Sequence, residues 1–347
     1  MSHNVIKRDA KICIIPNLSG IGGPSSFHTM FTNRLGELGI PYTHDLSDPD
    51  ISSLLVIGGS NQLFNIWKAR QRGVRVVQRL NGMNWLHKKR KTGMRHYLRS
   101  EINNRVLAFI RSNLADAVIY QSNFASNWWQ TVFKSTPAET RTIYNGVDLE
   151  IFTPVGEQKR PQDHIRIQLL EARLSGGYEV GLINAIQLVT AFNQQSDKQA
   201  ELFVIGKVSD ELCQYWNNHA GVNITWAGIM PRETIPMHNR SAHLLFSADL
   251  NAACPNSVLE AMASGLPVIA YATGALPELV GDEGGRVAPY GGNFWNLETP
   301  NPVRLVPEIQ TILDNYQFFQ GAARARAEKY FGSHQIVDQY LDVLLSD

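Results

Sequence analysis

The sequence contains little cysteine and no long hydrophobic run. The three cysteines among 347 residues (Cys13, Cys213 and Cys254) are odd in number and widely spaced, so they form neither a disulfide framework nor a zinc-binding pattern. No run of 18 apolar residues occurs, so we expect no membrane-spanning helix. The polar start of the chain and the short apolar run at residues 12–16 do not fit a signal peptide. We therefore expect a cytoplasmic protein.

Metal-ligand motifs are also missing from the sequence. The ten histidines do not form a pattern such as His-Glu-x-x-His. Asp48-Pro49-Asp50 is a pair of acids one residue apart, but it lies in a polar segment where proline favours a turn. We therefore expect no metal and no cofactor.

Charge is divided unevenly along the chain. Residues 1–155 carry 19 Lys and Arg against 10 Asp and Glu, whereas residues 156–347 carry 13 against 21. This asymmetry suggests two domains with different partners. The positive charge is concentrated at residues 87–111, near apolar side chains that we expect to contact an anionic membrane surface or a lipid-pyrophosphate acceptor: Trp85, Leu86, Tyr97, Leu98 and Leu107. A solvated charged helix is the alternative, and the absence of a nucleic-acid-binding signature makes us expect no nucleic acid partner.

Short buried strands alternate with helical patterns along most of the chain. The alternation runs from Lys11 to Tyr144 and restarts at Ile165, after a polar segment with two prolines at residues 154–163. Such an order is typical of parallel, doubly wound sheets. The sequence therefore predicts an α/β protein with two Rossmann-like domains that face a cleft, residues 1–157 and 158–332.

The most informative segment runs from Pro255 to Ala270. It predicts a short helix capped by Asn256 or Ser257 and ended by Gly265, followed by a buried strand. The first N–H groups of this helix form an anion site, and Glu260 can reach a hydroxylated part of the same ligand. A phosphate group beside a diol is characteristic of a sugar nucleotide. The alternative is a capping box, in which Glu260 only satisfies a backbone N–H near Ser257.

This longer segment closely resembles the donor-site signature of retaining glycosyltransferases of family 4, which have the GT-B fold. A second string, Ile143–Asp148 followed by Phe152-Thr153-Pro154, resembles the interdomain segment of that family. The resemblance covers almost the whole chain. It implies that the first domain takes the acceptor, that the second takes the nucleotide sugar, and that a C-terminal helix within residues 333–347 joins the first domain.

The resemblance also implies roles for individual residues. Glu260 would bind the nucleotide ribose and Arg173 would neutralise the leaving diphosphate, which makes these two the predicted catalytic residues. The Gly22-Gly23 loop after the first strand would face the diphosphate, although a plain strand-to-helix turn is the alternative. The remaining donor-binding residues are predicted to be Lys207, Ile229, Met230, Ala253, Asn256, Ser257 and Val258.

Three positions depart from the family pattern. A glutamate expected to contact the donor sugar is Ala252, a lysine expected near the diphosphate is Tyr178, and a histidine that faces the sugar is Asn81. We consider Lys207 a replacement for the lost positive charge. The alternative is that Lys207 is a solvated surface lysine with no role in the site. Asn81, Lys88 and Arg90 are predicted to lie on the acceptor side.

The resemblance implies retaining, metal-independent transfer of a hexose from a nucleotide-diphosphate sugar. A UDP-sugar such as UDP-glucose is expected because that donor is common in the family. The expected acceptor is a glycan or lipid-linked glycan in cell-envelope or exopolysaccharide synthesis, reached at the inner face of the membrane. Two alternatives remain: a non-catalytic sugar-nucleotide-binding subunit or sensor, which Ala252 and Tyr178 would suit, and a UDP-sugar epimerase.

Overall fold

The computed structural model describes residues 10–20, 22–90, 93–174 and 179–346 and consists of two compact units. One unit comprises Met1–Gly146 and Ser333–Asp347, and the other comprises Val147–Gly332. Each contains a six-stranded parallel sheet with flanking helices. The predicted α/β class with two doubly wound parallel sheets is therefore confirmed.

The first unit is built around a sheet whose inner strands are buried. Its strands in the described part of the chain are β1 (Lys11–Ile15), β2 (Tyr42–Thr43), β3 (Ile51–Ile57), β4 (Arg75–Leu80), β5 (Ala117–Tyr120) and β6 (Glu139–Thr142). They lie in the order β2-β1-β3-β4-β5-β6, with every pair parallel. Strands β1, β3 and β5 are mostly apolar and β4 is buried apart from its first residue, because helices cover both faces of a parallel sheet.

Helices pack on both faces of this first sheet. They are α1 (Gly23–Leu38), α2 (Leu63–Gln71), α3 (Met94–Phe109) and α4 (Asn123–Phe133), with a 3-10 turn at Leu86–Lys88 and a π-helical turn at Ile110–Leu114 that continues α3. Phe27 and Leu35 of α1 join one apolar core, whereas Ile66 of α2 and Ile110 join another. Among the described residues, no helix is both long and apolar enough to cross a membrane.

The second unit repeats the same architecture. Its strands are β7 (Ile165–Arg173), β8 (Ala200–Lys207), β9 (Ile224–Gly228), β10 (Leu244–Ser247), β11 (Val268–Tyr271) and β12 (Gly285–Ala288). Its helices are α5 (Val180–Gln195), α6 (Asp210–His219), α7 (Ile235–Ser241), α8 (Asn256–Ala263), α9 (Leu276–Val280), α10 (Val306–Asp314) and α11 (Tyr316–Tyr330), with 3-10 turns at Arg232–Thr234, Phe294–Asn296 and Pro302–Leu305. The strand order is β12-β11-β10-β7-β8-β9. The chain therefore adds β8 and β9 on one side of β7 and then returns to place β10 on the other side.

The C-terminal helix α12 (Ser333–Leu344) packs into the core of the first unit. The Tyr340 ring lies 4.9 Å from the Phe27 ring and 6.0 Å from the Phe31 ring. A Cβ atom at Gly146 would lie 3.0 Å from the Ser333 Cα. The glycine of the Asn145-Gly146 motif is therefore required by close packing against the start of this helix.

The boundary between the units falls before the predicted linker at residues 154–163. The N–H of Val147 already donates to the carbonyl oxygen of Phe331 at 2.7 Å, inside the second unit. Arg324 donates to the carbonyl oxygen of Phe152 at 2.7 Å, and the Phe152 side chain is buried. The polar, proline-containing segment therefore belongs to the second unit, which holds the preceding residues by hydrogen bonds and apolar packing.

Candidate active site

The carboxyl edge of the second sheet carries two neighbouring cations. Arg173 ends β7 and Lys207 ends β8, and the two residues are register partners in the parallel ladder. The N–H of Leu174 donates to the carbonyl oxygen of Lys207 at 2.9 Å, which fixes the two strand ends together. Both cationic residues are exposed. Adjacent strands lie about 5 Å apart, so two positive charges can reach one anionic ligand here.

Helix α8 begins at the same edge, after the loop that follows β10. Its N-cap is Pro255, and no side chain caps the first turn, so the prediction that Asn256 or Ser257 caps the helix is wrong. The helix starts one residue early because Pro255 adopts the extended conformation of an N-cap, with φ −71° and ψ 123°. Asn256 and Ser257 are partly exposed in the first turn, where N–H groups have no intrahelical acceptor. Val258 is less accessible, since its side chain is fully buried and its N–H donates to the carbonyl oxygen of Pro255.

The end of α8 forms as the sequence predicts. Gly265 adopts a left-handed φ of 68°. Its N–H donates to the carbonyl oxygen of Met262, and the N–H of Leu266 donates to that of Ala261, both at 2.9 Å. This is the Schellman arrangement, and it directs the chain from α8 into β11. Side chains on α8 are therefore held between a capped helix end and a buried strand.

The Glu260 carboxylate is buried on α8 and paired with Arg232. The Nη2 of Arg232 donates to the Glu260 Oε1 at 2.7 Å, while Glu260 is only 7% exposed. Burial raises the pKa of Glu260, and the charge of Arg232 opposes that rise. The capping-box alternative is wrong, because the carboxylate bonds to Arg232 and caps no backbone N–H. Within the described residues the Glu260 Oε2 accepts no hydrogen bond, which leaves an acceptor for a ligand hydroxyl.

Arg232 follows the residues predicted to form the base pocket. Ile229 and Met230 come directly after β9; Ile229 is exposed and Met230 partly so. The Arg232 guanidinium lies 5.8 Å from the centre of the Phe152 ring, and its side chain is 51% exposed. Sequence reasoning missed Arg232, because a partner 28 positions away leaves no local signal.

The loop between β10 and α8 packs tightly against the segment after β11. Ala252 is buried, and its carbonyl oxygen accepts from the N–H of Ala275 at 2.8 Å. A Cβ atom at Gly274 would lie 2.6 Å from the Ala252 nitrogen. Ala253 is also buried, so it can offer a ligand little besides backbone groups.

Two acidic residues that sequence reasoning did not select lie at this edge. Glu171 precedes Arg173 in β7, and Asp249 follows the end of β10. Because β7 and β10 are parallel neighbours, both acids lie at adjacent strand ends. Burial, with a smaller contribution from the charge of Asp249, raises the pKa of Glu171 to about 8. Desolvation by the surrounding protein also raises the pKa of Asp249, although this residue is exposed.

The predicted glycine loop lies in the first unit, after β1. Gly22 is the N-cap of α1 with φ 142°, and Gly23 is its first residue. A Cβ atom at either position would meet no atom within 4 Å. The first turn of α1 contains no acidic residue and no side-chain cap. The start of α1 is therefore open and favourable for an anion.

The predicted acceptor-side residues lie after β4 in the first unit. The carbonyl oxygen of Asn81 accepts from the Trp129 indole N–H at 2.7 Å, and the Asn81 residue is partly exposed. The Lys88 ammonium pairs with Glu101 at 3.0 Å, and Arg90 is partly exposed. Asn81 and Arg90 are thus accessible, whereas Lys88 already has an acidic partner.

Two other predicted features fall outside these groups. Asp48 and Asp50 precede β3, at the amino edge of the first sheet, and Asp48 is bonded to Lys11. That bond lowers the pKa of Asp48 and ties β1 to the polar segment. Tyr178, which stands where the family pattern has a lysine, lies outside the described residues.

Comparison with protein families gives two matches to the chain. The model for glycosyl transferases group 1 matches residues 175–330, and the model for glycosyltransferase family 4 matches residues 58–151. A sequence comparison with curated proteins finds no match.

Solved structures share the fold at low sequence identity. Sucrose-phosphate synthase from Thermosynechococcus elongatus is 20% identical, with a TM-score of 0.63 over 94% of this chain and 79% of that one. The Anabaena protein HepE, solved with UDP and glucose, is 17% identical, with a TM-score of 0.65 over 96% and 99%. WaaG, a glycosyltransferase involved in lipopolysaccharide biosynthesis, is 13% identical, with a TM-score of 0.67 over 97% and 100%. The fold is therefore that of the GT-B glycosyltransferases.

We expect Arg232→Ala to raise the pKa of Glu260, because the carboxylate stays buried and loses its cation. An acid whose pKa is higher in the folded state destabilises the fold as pH rises through and above its unfolded value. The variant should therefore lose stability relative to the wild type as pH rises through the pKa of Glu260 in the folded wild type, which lies above 4.5. Carbon-13 NMR titration of the Glu260 carboxyl and urea unfolding at several pH values measure both effects. Lys198→Ala, at an exposed site, is the control, and an unchanged Glu260 pKa in Arg232→Ala would contradict the pairing.

Proposed function

We propose that the chain is a group 1 glycosyltransferase of the family 4 type and that it transfers a hexose from a UDP-sugar with retention of anomeric configuration. Transfer would proceed without a metal. The acceptor would be a glycan or lipid-linked glycan of the cell envelope or of an exopolysaccharide. The observation that carries the proposal is the arrangement at the second sheet, where Arg173, Lys207 and the start of α8 with Glu260 share one carboxyl edge.

These groups suit the two polar parts of a nucleotide diphosphate. Arg173 and Lys207 would bind the diphosphate, together with the first-turn N–H groups of α8. The free Glu260 Oε2 would accept a hydrogen bond from a ribose hydroxyl, while Arg232 keeps Oε1 in place. Ile229 and Met230 would contact the base. The bound HepE structure contains UDP, which supports UDP as the nucleotide for a chain of the same fold.

Fixed positive charge would promote the chemical step. When the bond between the anomeric carbon and the diphosphate oxygen breaks, negative charge grows on the leaving group, and preorganised cations stabilise it. Asn81 cannot act as a base near neutral pH. The leaving phosphate would therefore accept the proton of the acceptor hydroxyl as the new glycosidic bond forms on the same face.

Helix α3 provides a surface suited to an anionic membrane. Met94, Leu98 and Ile102 are spaced four residues apart and are all exposed, with Arg95 and Arg99 beside them. Exposed apolar side chains flanked by arginines are typical of helices that lie in a membrane interface. The supporting residues differ from those predicted, because Leu107 is buried in the fold. We propose that this face of α3 brings the protein to a lipid-linked acceptor.

A turnover measurement distinguishes an active transferase from the non-catalytic alternative. An active enzyme transfers labelled hexose from UDP-glucose to acceptor, whereas a binding subunit only retains the donor. An epimerase would interconvert UDP-sugars without acceptor.

We expect Glu260→Ala to abolish UDP binding, or to weaken it by roughly 10- to 100-fold, because a charged hydrogen bond to the ribose is lost. Calorimetric titration with UDP, GDP and ADP in the presence of chelator is the measurement. Glu283→Ala, at an exposed acid, is the control. Unchanged UDP affinity in a folded Glu260→Ala variant would remove Glu260 from the ribose site.

We expect Arg173→Ala to weaken UDP far more than uridine, because only UDP carries the diphosphate. The same titrations with both ligands give the two affinity ratios. Equal losses for uridine and UDP would exclude Arg173 from the diphosphate site.

We expect the double variant Leu98→Glu, Ile102→Glu to reduce binding to vesicles of phosphatidylglycerol and phosphatidylcholine by roughly tenfold or more, because two apolar side chains are lost from the interface. Vesicle co-sedimentation measures the effect. Phe318→Glu, at an exposed site in the second unit, is the control. Absence of wild-type binding to these vesicles would contradict the proposed membrane contact.

A further inference from the structure

Glu171 and Asp249 flank the point at which the second sheet changes direction. From β7 the chain moves to β8 and β9 on one side, and then returns to β10 on the other side of β7. In open α/β sheets, ligands bind in the crevice outside the carboxyl ends of the strands at such a point. Glu171 lies near the end of β7, and Asp249 lies two residues beyond the end of β10. The two carboxyl groups therefore stand on either side of the expected ligand crevice.

Among residues 10–20, 22–90, 93–174 and 179–346, which the structure describes, neither carboxyl group has a hydrogen-bond or ion-pair partner. Glu171 is partly buried, and burying an unpartnered carboxylate is unfavourable unless a ligand or a proton satisfies it. Arg173 and Lys207 already supply positive charge close by, at the ends of β7 and β8. Hydroxyl groups are therefore the natural ligands, since they donate to carboxylates without adding a further positive charge.

The loop that carries Asp249 also contains the position where the family pattern has a sugar-binding glutamate. That position is Ala252, three residues after Asp249, and the same loop leads into α8. Between them lies Asn251, which is 4% exposed and whose two amide atoms have no partner among the described residues. This loop therefore contains a buried amide with unmet hydrogen-bonding capacity next to Asp249, although the expected glutamate is lost.

We propose that Glu171 and Asp249 bind hydroxyl groups of the transferred sugar, in the role that the family pattern gives to position 252. The inference rests on the proposed function, because Arg173 and Lys207 would hold the diphosphate of the same donor. The sugar would then lie at the β7/β10 crevice, beside the diphosphate.

The test separates nucleotide binding from sugar binding. UDP, UDP-glucose, UDP-galactose and UDP-N-acetylglucosamine are titrated by calorimetry, with chelator present, into the wild type, Asp249→Asn and Glu171→Gln. We expect one UDP-sugar to bind the wild type more tightly than UDP. Each variant should keep its UDP affinity and lose roughly 10- to 100-fold in affinity for that UDP-sugar. The isosteric amides preserve side-chain volume, and Asp197→Asn, at an exposed site in the turn before β8, is the matched control.

Deoxy analogues of the preferred UDP-sugar provide a readout that a purely structural role would not move. Each variant should bind one deoxy analogue as tightly as the wild type does, namely the analogue that lacks the hydroxyl in contact with the substituted carboxyl group. Unchanged sugar affinity in both variants, with UDP binding intact, would overturn the inference and leave the proposed function standing. The inference would also be overturned, with the proposed function left standing, if no UDP-sugar bound the wild type better than UDP or if sugar binding required added Mg²⁺. Failure of the wild type to bind any nucleotide would overturn the proposed function itself, and the sugar role with it.

Discussion

The ion pair between Glu260 and Arg232 is the interaction on which the proposed donor site depends. It connects α8 to the segment after β9, and the charge of Arg232 opposes the rise in the Glu260 pKa that burial causes. Removing one partner of a buried pair generally costs about 3–5 kcal/mol, because the other charge is left unsatisfied. Half of the Arg232 side chain is exposed, so solvent reduces that figure here. The pair therefore serves mainly to orient Glu260, and it leaves one oxygen for the ligand.

Parallel strand order explains why distant residues form one site. Every strand of the second sheet points the same way, so Arg173, Lys207 and Asp249 emerge at one edge although they are far apart in sequence. The return from β9 to β10 places β10 on the other side of β7, and open α/β sheets bind ligands in the crevice at such a point. In the proposed site, the cations at the ends of β7 and β8 would bind the anion, whereas Glu171 of β7 and Asp249 beyond β10 would bind hydroxyl groups. Such a division matches a nucleotide sugar, whose diphosphate adjoins a polyhydroxylated ring.

Much of the fold could be predicted because its strands are short apolar runs between clear turns. Helix α6 is harder to predict from the sequence, since it has no fully buried residue. Strand β12 is harder to predict from the sequence because it begins with glycines, which indicate a turn. A Cβ atom at Gly285 would overlap the Val268 carbonyl oxygen at 1.9 Å, so glycine is needed for β12 to pair with β11. In the site, the roles of Arg173 and Glu260 were predicted from the family resemblance, whereas Arg232 and Asp249 depend on contacts between elements far apart in sequence.

The most direct test of the donor site is a crystal structure of the chain with UDP-glucose bound. The account predicts a ribose hydroxyl within hydrogen-bond distance of the Glu260 Oε2, the diphosphate next to Arg173 and Lys207, and Arg232 still bonded to the Glu260 Oε1. A nucleotide bound away from the carboxyl edge of the second sheet, or a ribose that makes no contact with Glu260, would contradict it.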